Sequence, residues 1–226
     1  MNSKPADVRE MFESIATRYD LANHVLSCGL DFYWRARAAN IVDTWHPQTI
    51  ADLATGTGDL ALALQNKLPR AKVTGVDFLP EMLELARRKG VQRVVLADAM
   101  KLPFDDRSFD CVTIAFGLRN MENYSAALTE MWRVLNANGH LLVLEFSLPV
   151  SPILRAGYRF YLHRCLPLLG SFLTQEKSAY DYLGTSIEEF PSGNAMCELM
   201  RETGYVSPAF ERLTGGVVTI YTAAKL

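Results

Sequence analysis

A dominant charge of either sign is missing from this 226-residue chain, which carries 23 lysines and arginines against 25 aspartates and glutamates. A nucleic-acid-binding face needs a basic excess, so no such partner is expected. Cysteines are few, and Cys28, Cys111, Cys165 and Cys197 form no C-x-x-C pair. That scatter argues against a metal site and is expected to leave four reduced, buried thiols. No apolar run reaches the roughly 18 residues of a spanning helix. The polar, charged start through Glu10 lacks the pattern of a signal peptide. What remains, 49% hydrophobic and 21% charged residues, suits one cytosolic globular domain over 1–226 with a full core.

The informative stretch is ADLATGTGD, Ala51 to Asp59, followed by VTGVDF with Asp77 near its end. It reads as a strand, a tight turn opening a helix, and a second strand ending in a carboxylate. Gly56 and Gly58 let backbone approach a ligand closely, since neither carries a Cβ. Asp77 follows Gly56 by 77 − 56 = 21 residues, the distance at which a βαβ unit delivers an acid to a ribose. Gly56-Thr57-Gly58-Asp59-Leu60-Ala61 also fits G-x-G-x-x-A, which a dinucleotide fold could use. A carboxylate at the helix start, Asp59, opposes binding of a pyrophosphate there, and Asp52 adds a second negative charge. Both suit the sulfonium and amino group of S-adenosylmethionine. The alternative for Asp59 is a plain helix cap.

Helical and strand patterns alternate along the chain. Val8, Met11, Phe12, Ile15 and Tyr19 recur at helical spacing, and a second helix covers about 32–44. Strands are expected near 49–54, 72–77, 93–98, 110–116 and 140–146. Helices lie between them at 59–67, from Pro80 to Lys89, and at about 123–135, the last stopped by Asn138-Gly139. Residues 207–226 read as an antiparallel hairpin turning through Gly215-Gly216. The expected fold is α/β: a doubly wound, seven-stranded, mostly parallel sheet, with a helical cap (1–46), a cofactor-binding core (47–147), a helical lid (148–206) and the closing hairpin. In such sheets ligands sit beyond the carboxyl ends of the strands. Asp52, Asp77 and Asp98 close successive strands, which suits methionyl amine, ribose and adenine in turn, with Asp98-Ala99 at the adenine. A turn cap is the alternative for Asp98.

Several blocks resemble the ubiquinone/menaquinone C-methyltransferase family of class I S-adenosylmethionine-dependent enzymes. They are MFESIATRYDLANHVLSCGLDFYWR (Met11 to Arg35), ADLATGTGD, GVDFLPEML, the long run from Ala97 to Ser147 containing FGLRN and LEFS, SAYDYLGTSIEEFP (Ser178 to Pro191) and LTGGVVTIYTAAK. The family often has histidine where this chain has Asp31, another residue at Ala115, and Ser-Tyr-Arg-Tyr where Ala179-Tyr180-Asp181-Tyr182 stand.

The resemblance implies methyl transfer to a ring carbon of a polyprenylated hydroquinone, with no metal. The ring is expected to be demethylmenaquinol, because the long N-terminal extension of many ubiquinone-pathway relatives is absent. A benzoquinol, or another small molecule, stays open. Cofactor contacts are expected at Gly56, Thr57, Gly58, Asp77, Asp98 and Ala99. Arg119 and Asn120 would hold the quinol oxygen, with Tyr19 sharing the proton traffic; for Arg119 the alternative is a salt bridge across the loop. The segment Leu148 to Leu173 interleaves apolar residues with Arg155, Arg159, His163 and Arg164. It reads as an apolar lid over a prenyl tail, basic residues toward lipid headgroups, or as two core helices. A cytoplasmic enzyme in peripheral contact with the inner face of the cell membrane, and a homodimer, complete the family-level expectation. Rival readings are a nicotinamide reductase, an O- or N-methyltransferase, and a cofactor-free subunit; intact Asp52, Gly56, Gly58 and Asp77 weigh against the last.

Overall fold

A computed structural model describes residues 27–167 and 177–226, with side chains from 182 onward in the second part. The expected first helix and Tyr19 lie outside the described residues. Helix α1 (Leu30–Asp43) buries Trp34, Ala38 and Val42, four apart along one face. Alternation then runs as β1 (Thr49–Leu53), α2 (Asp59–Lys67), β2 (Lys72–Asp77), α3 (Pro80–Lys89), β3 (Val94–Leu96), β4 (Phe109–Ala115), α4 (Tyr124–Val134) and β5 (Leu135–Phe146). Local chemistry sets the ends. Pro80 opens α3 and Gly90, at φ 110°, closes it in the left-handed region. Asn123 caps α4, its side chain accepting from the Ala126 N–H at 3.0 Å.

After β5 come α5 (Pro152–Phe160), a π-helical turn (Tyr161–Cys165), α6 (Lys177–Glu189) and α7 (Asn194–Glu202). The hairpin β6 (Val206–Leu213) and β7 (Val218–Ala224) turns through Thr214–Gly216 as expected. The seven strands run in the order β3-β2-β1-β4-β5-β7-β6, with β7 antiparallel to both neighbours. The order reverses between β1 and β4, which opens a crevice above their carboxyl ends.

Three expectations change. Asn138-Gly139 does not end α4, which stops at Val134. The pair sits inside β5, where the register jumps between Phe109↔Leu135 and Cys111↔His140. Asn138 takes φ 61° there, and a Cβ on Gly139 would lie 2.9 Å from the Asn136 carbonyl, so this is a bulge that needs glycine. Helix α7, read from the sequence as lid, packs into the main core through Met196, Cys197 and Met200 alongside Leu128 and Met131 of α4. The opposite sheet face is covered by α1 and α2, with Trp34, Val42, Leu60 and Leu64 against Ile50, Leu142 and Ile220. A small separate cluster, Leu162, Leu166 and Ile187, packs the π-helical turn and α6 against Phe146 and Leu148. Of the cysteines, Cys111 and Cys197 are buried, whereas Cys28 is exposed and Cys165 half-buried.

Candidate active site

The crevice holds a cavity of about 630 Å³ bounded by the loop after β1, the ends of β2 and β4, α1, and the lid helices. That is ample for a ligand of drug size, which takes roughly 300–1,000 Å³. Of the residues expected at the site, Gly56, Thr57, Asp77, Asp98, Ala99, Arg119 and Asn120 all line it.

The glycine loop is held from below. Asp77 is buried, with Oδ2 accepting from the Gly56 N–H at 2.8 Å and Oδ1 from the Leu79 N–H at 3.0 Å. Burial pushes its carboxyl above the ordinary range, and those backbone donors pull it partly back. Asp77 thus couples the two strand ends and is no detached surface acid. Gly56 has φ 56° and open space where a Cβ would stand, so its backbone is free for close approach by a ligand. Gly58 differs: at φ 89° its Cβ would meet Val91 Cγ2 at 2.4 Å, and it is not among the lining residues. Its role in the fold is to let α2 pack against the start of β3's connection.

Asp52 lies wholly inside, Oδ2 accepting from the Thr55 hydroxyl at 2.6 Å and Oδ1 from the Thr113 hydroxyl at 2.7 Å. Desolvation raises its pKa to about 6, against the two hydroxyl donors and the positive Arg35. Asp59, expected to attract a sulfonium, is neutralised instead. Lys89 Nζ bonds its Oδ1 at 2.7 Å and Arg35 approaches its Oδ2 at 3.6 Å. The same lysine donates to Thr57 Oγ1 at 2.9 Å. The negative character of the site therefore rests on Asp52, Asp77, Asp98 and Glu122. Asp98 is exposed and accepts from the Met100 N–H at 2.8 Å, the turn cap that was its alternative reading, while still lining the cavity.

Arg119 sits in the single 3-10 turn after β4 (Leu118–Asn120), where Phe116 at φ 57° redirects the chain. Its guanidinium pairs with Glu145, Nη1 to Oε1 at 2.7 Å, and stacks 5.3 Å from the Phe146 ring. Glu145 is fully buried and also accepts from the Phe146 N–H at 2.9 Å. The salt bridge across the loop is thus real; Arg119 lines the cavity, whereas the fully buried Glu145 does not. Asn120 donates to the Phe116 carbonyl at 3.4 Å, while its buried Oδ1 has no partner among the described residues. An orphaned acceptor costs free energy unless a donor meets it, so this oxygen suits a ligand hydroxyl.

Sequence reasoning missed Glu145, Tyr158, Tyr161, Tyr182 and the Asp31–Arg35 pair, which all belong to this region. Asp31 is buried, accepts from the Ser27 hydroxyl at 2.8 Å and bridges Arg35; that guanidinium lies 5.5 Å from the Phe116 ring. The departure at Asp31 therefore carries its own compensating base one helical turn on. The LEFS block signalled Glu145, but nothing local says that its partner is 26 residues away. Arg159 of α5 and His163 of the π-helical turn both bond Glu188 of α6, at 2.6 and 3.1 Å, so these two basic residues tie the three segments together. The exposed surface of α5 mixes apolar and basic residues: Ile153 is 84% and Phe160 63% accessible, and Arg155 and Arg159 are exposed beside them. No helix among the described residues is long and apolar enough to cross a membrane.

The ubiE/COQ5 methyltransferase family model matches residues 1–225. A protein of Thermus thermophilus named demethylmenaquinone methyltransferase is 48% identical over 95% of this chain and all of its own length. A Geobacter protein named ubiquinone/menaquinone biosynthesis C-methyltransferase is 40% identical over 100% of this chain and 99% of its own. Among solved structures, a SAM-dependent methyltransferase of Thermotoga maritima superposes with TM-score 0.69 at 20% identity, covering 96% of this chain and 99% of its own. Human N-acetylserotonin methyltransferase, solved with SAM, gives 0.65 at 18% identity over 95% and 57%. The chain belongs to the ubiE/COQ5 methyltransferase family and is an S-adenosylmethionine-dependent methyltransferase on the seven-stranded fold expected from its sequence.

Proposed function

We propose that this family member methylates a ring carbon of a polyprenylated hydroquinone, with demethylmenaquinol as the acceptor. The observation that carries the reading is one cavity running from the acidic glycine loop to an apolar, tyrosine-lined lid. A polar cofactor and an apolar aromatic ring would then meet inside a single enclosure. S-adenosylmethionine, when bound, supplies an electrophilic methyl group on a cationic sulfur.

The residues fit that donor. Asp77 would accept from ribose hydroxyls while keeping its backbone bonds, since each carboxylate oxygen has two lone pairs. Asp98 and Ala99 would hold the adenine, Gly56 and Thr57 the methionyl part, with Asp52 beneath. Ring carbon nucleophilicity grows as the neighbouring hydroxyl loses its proton. Arg119, fixed by Glu145, would orient that oxygen, and Asn120 Oδ1 would accept from a ring hydroxyl. Tyr19 stays a candidate for the proton relay. Holding the partners in line can supply on the order of 7–11 kcal/mol of the barrier.

Peripheral membrane contact belongs to the same proposal. The support is the exposed apolar surface at Val150, Ile153, Leu154 and Phe160, beside a cavity for a substrate that partitions into lipid. With Arg159 and His163 engaged by Glu188, apolar insertion should outweigh headgroup charge. Transfer from labelled S-adenosylmethionine to demethylmenaquinol, with the methyl located by mass fragmentation, tests the reaction. Preference for a benzoquinol of equal tail length would move the assignment to the ubiquinone branch.

A further inference from the structure

The lid contributes two phenols that the chemistry above leaves unused. Tyr158 stands on α5 and Tyr182 on α6, and both line the cavity. Both lie within electrostatic reach of Arg119 and Glu145. Neither hydroxyl has a hydrogen-bond partner among the described residues, although both side chains are largely withdrawn from solvent. Two unrelated helices therefore bring phenol side chains to the cavity that Arg119 also lines.

The Arg119–Glu145 ion pair is neutral overall, because Glu145 cancels the guanidinium charge at 2.7 Å. An oxyanion on an aromatic ring beside it gains little net attraction and needs hydrogen-bond donors. On the cavity wall that Arg119 also lines, these two phenols offer such donors. We propose that Tyr158 and Tyr182 form a two-donor oxyanion hole, carried in by the lid, which holds the ring oxygen of the aromatic acceptor beside the Arg119–Glu145 pair. This rests on the aromatic-acceptor reading above and adds catalytic residues to it. Burial pushes both phenols above their ordinary range, so near neutral pH they remain protonated and act as donors, not bases.

The test uses Tyr158→Phe, Tyr182→Phe and the double variant in the full chain. Each single change should lower single-turnover methyl transfer to demethylmenaquinol by about 10²–10³, the usual cost of losing one such donor. Melting temperature and S-adenosylhomocysteine affinity should stay unchanged, since no intramolecular bond is removed. A readout independent of turnover is the ionisation of 1-naphthol bound alongside S-adenosylhomocysteine, followed by absorbance. Its apparent pKa should be at least about one unit lower in the wild type than in the double variant, a tenfold difference in ionisation. An active wild type with equally active variants, or equal naphthol pKa values in both proteins, overturns the oxyanion hole while the acceptor class stands. An inactive wild type that still shifts the naphthol pKa through these two tyrosines overturns the acceptor and keeps the hole.

Discussion

Asp52 makes a quantitative demand on cofactor binding. Burial raises the pKa of its carboxyl to about 6, against an ordinary 3.8. The gap of about 2.2 pH units, at roughly 1.36 kcal/mol per unit, is about 3 kcal/mol of unfavourable desolvation once the group is charged. A cationic ligand beside it relieves that strain. The folded pKa lies above the unfolded one, so the acid's stabilising contribution is fully present below about pH 4. It is lost as pH rises through about 6. Apo stability should therefore fall by up to about 3 kcal/mol across that window. Ligand binding lowers the pKa again, so S-adenosylmethionine affinity should rise by up to about 100-fold between pH 4 and 6.5 and then level off. Asp77, raised in the same direction, adds to both slopes. Calorimetry in two buffers of different ionisation enthalpy should show proton release on binding near pH 5.5, diminished in Asp52→Asn. S-adenosylhomocysteine, which lacks the sulfonium charge, should release fewer protons. If the wild type and Asp52→Asn bind with the same pH profile, Asp52 does not titrate with the ligand and the electrostatic argument fails.

Other substitutions separate fold from site. Asp77→Ala should lower stability by about 1–3 kcal/mol as well as abolish tight cofactor binding, because the Gly56 and Leu79 N–H groups lose their acceptor; thermal melts with and without cofactor resolve the two. Gly58→Ala should cost about 2–4 kcal/mol from the clash with Val91 and the positive φ. Gly56→Ala should cost only about 1–2 kcal/mol of backbone strain but weaken cofactor affinity. Glu145→Ala should destabilise by about 3–5 kcal/mol, since it strands the buried Arg119 charge; a melt within 1 °C of wild type would refute that. Ile153→Asp with Phe160→Asp should abolish flotation with vesicles while leaving the melt unchanged, both side chains being exposed.

Much of this protein was determined locally. Pro80 and Gly90 bound a helix because one presets φ and the other tolerates its positive range, so Pro80–Lys89 was legible to the residue. The 21-residue step from Gly56 to Asp77 is set by the length of one strand-helix-strand unit, and the two do meet at 2.8 Å. The limits of local reading are equally physical. Asn138-Gly139 carries the chemistry of a helix stop, yet the same positive φ serves a bulge once β4 offers a strand to pair with. Asp59 reads as a free charge until Lys89 and Arg35 fold onto it from 30 residues downstream and 24 upstream. Which acid stays available to a ligand, which arginine is neutralised, and which lid tyrosines reach the Arg119–Glu145 pair all depend on partners brought together by sheet order. Sequence spacing specifies neighbours along a helix or strand; burial and charge pairing across the crevice between β1 and β4 exist only after the sheet has formed.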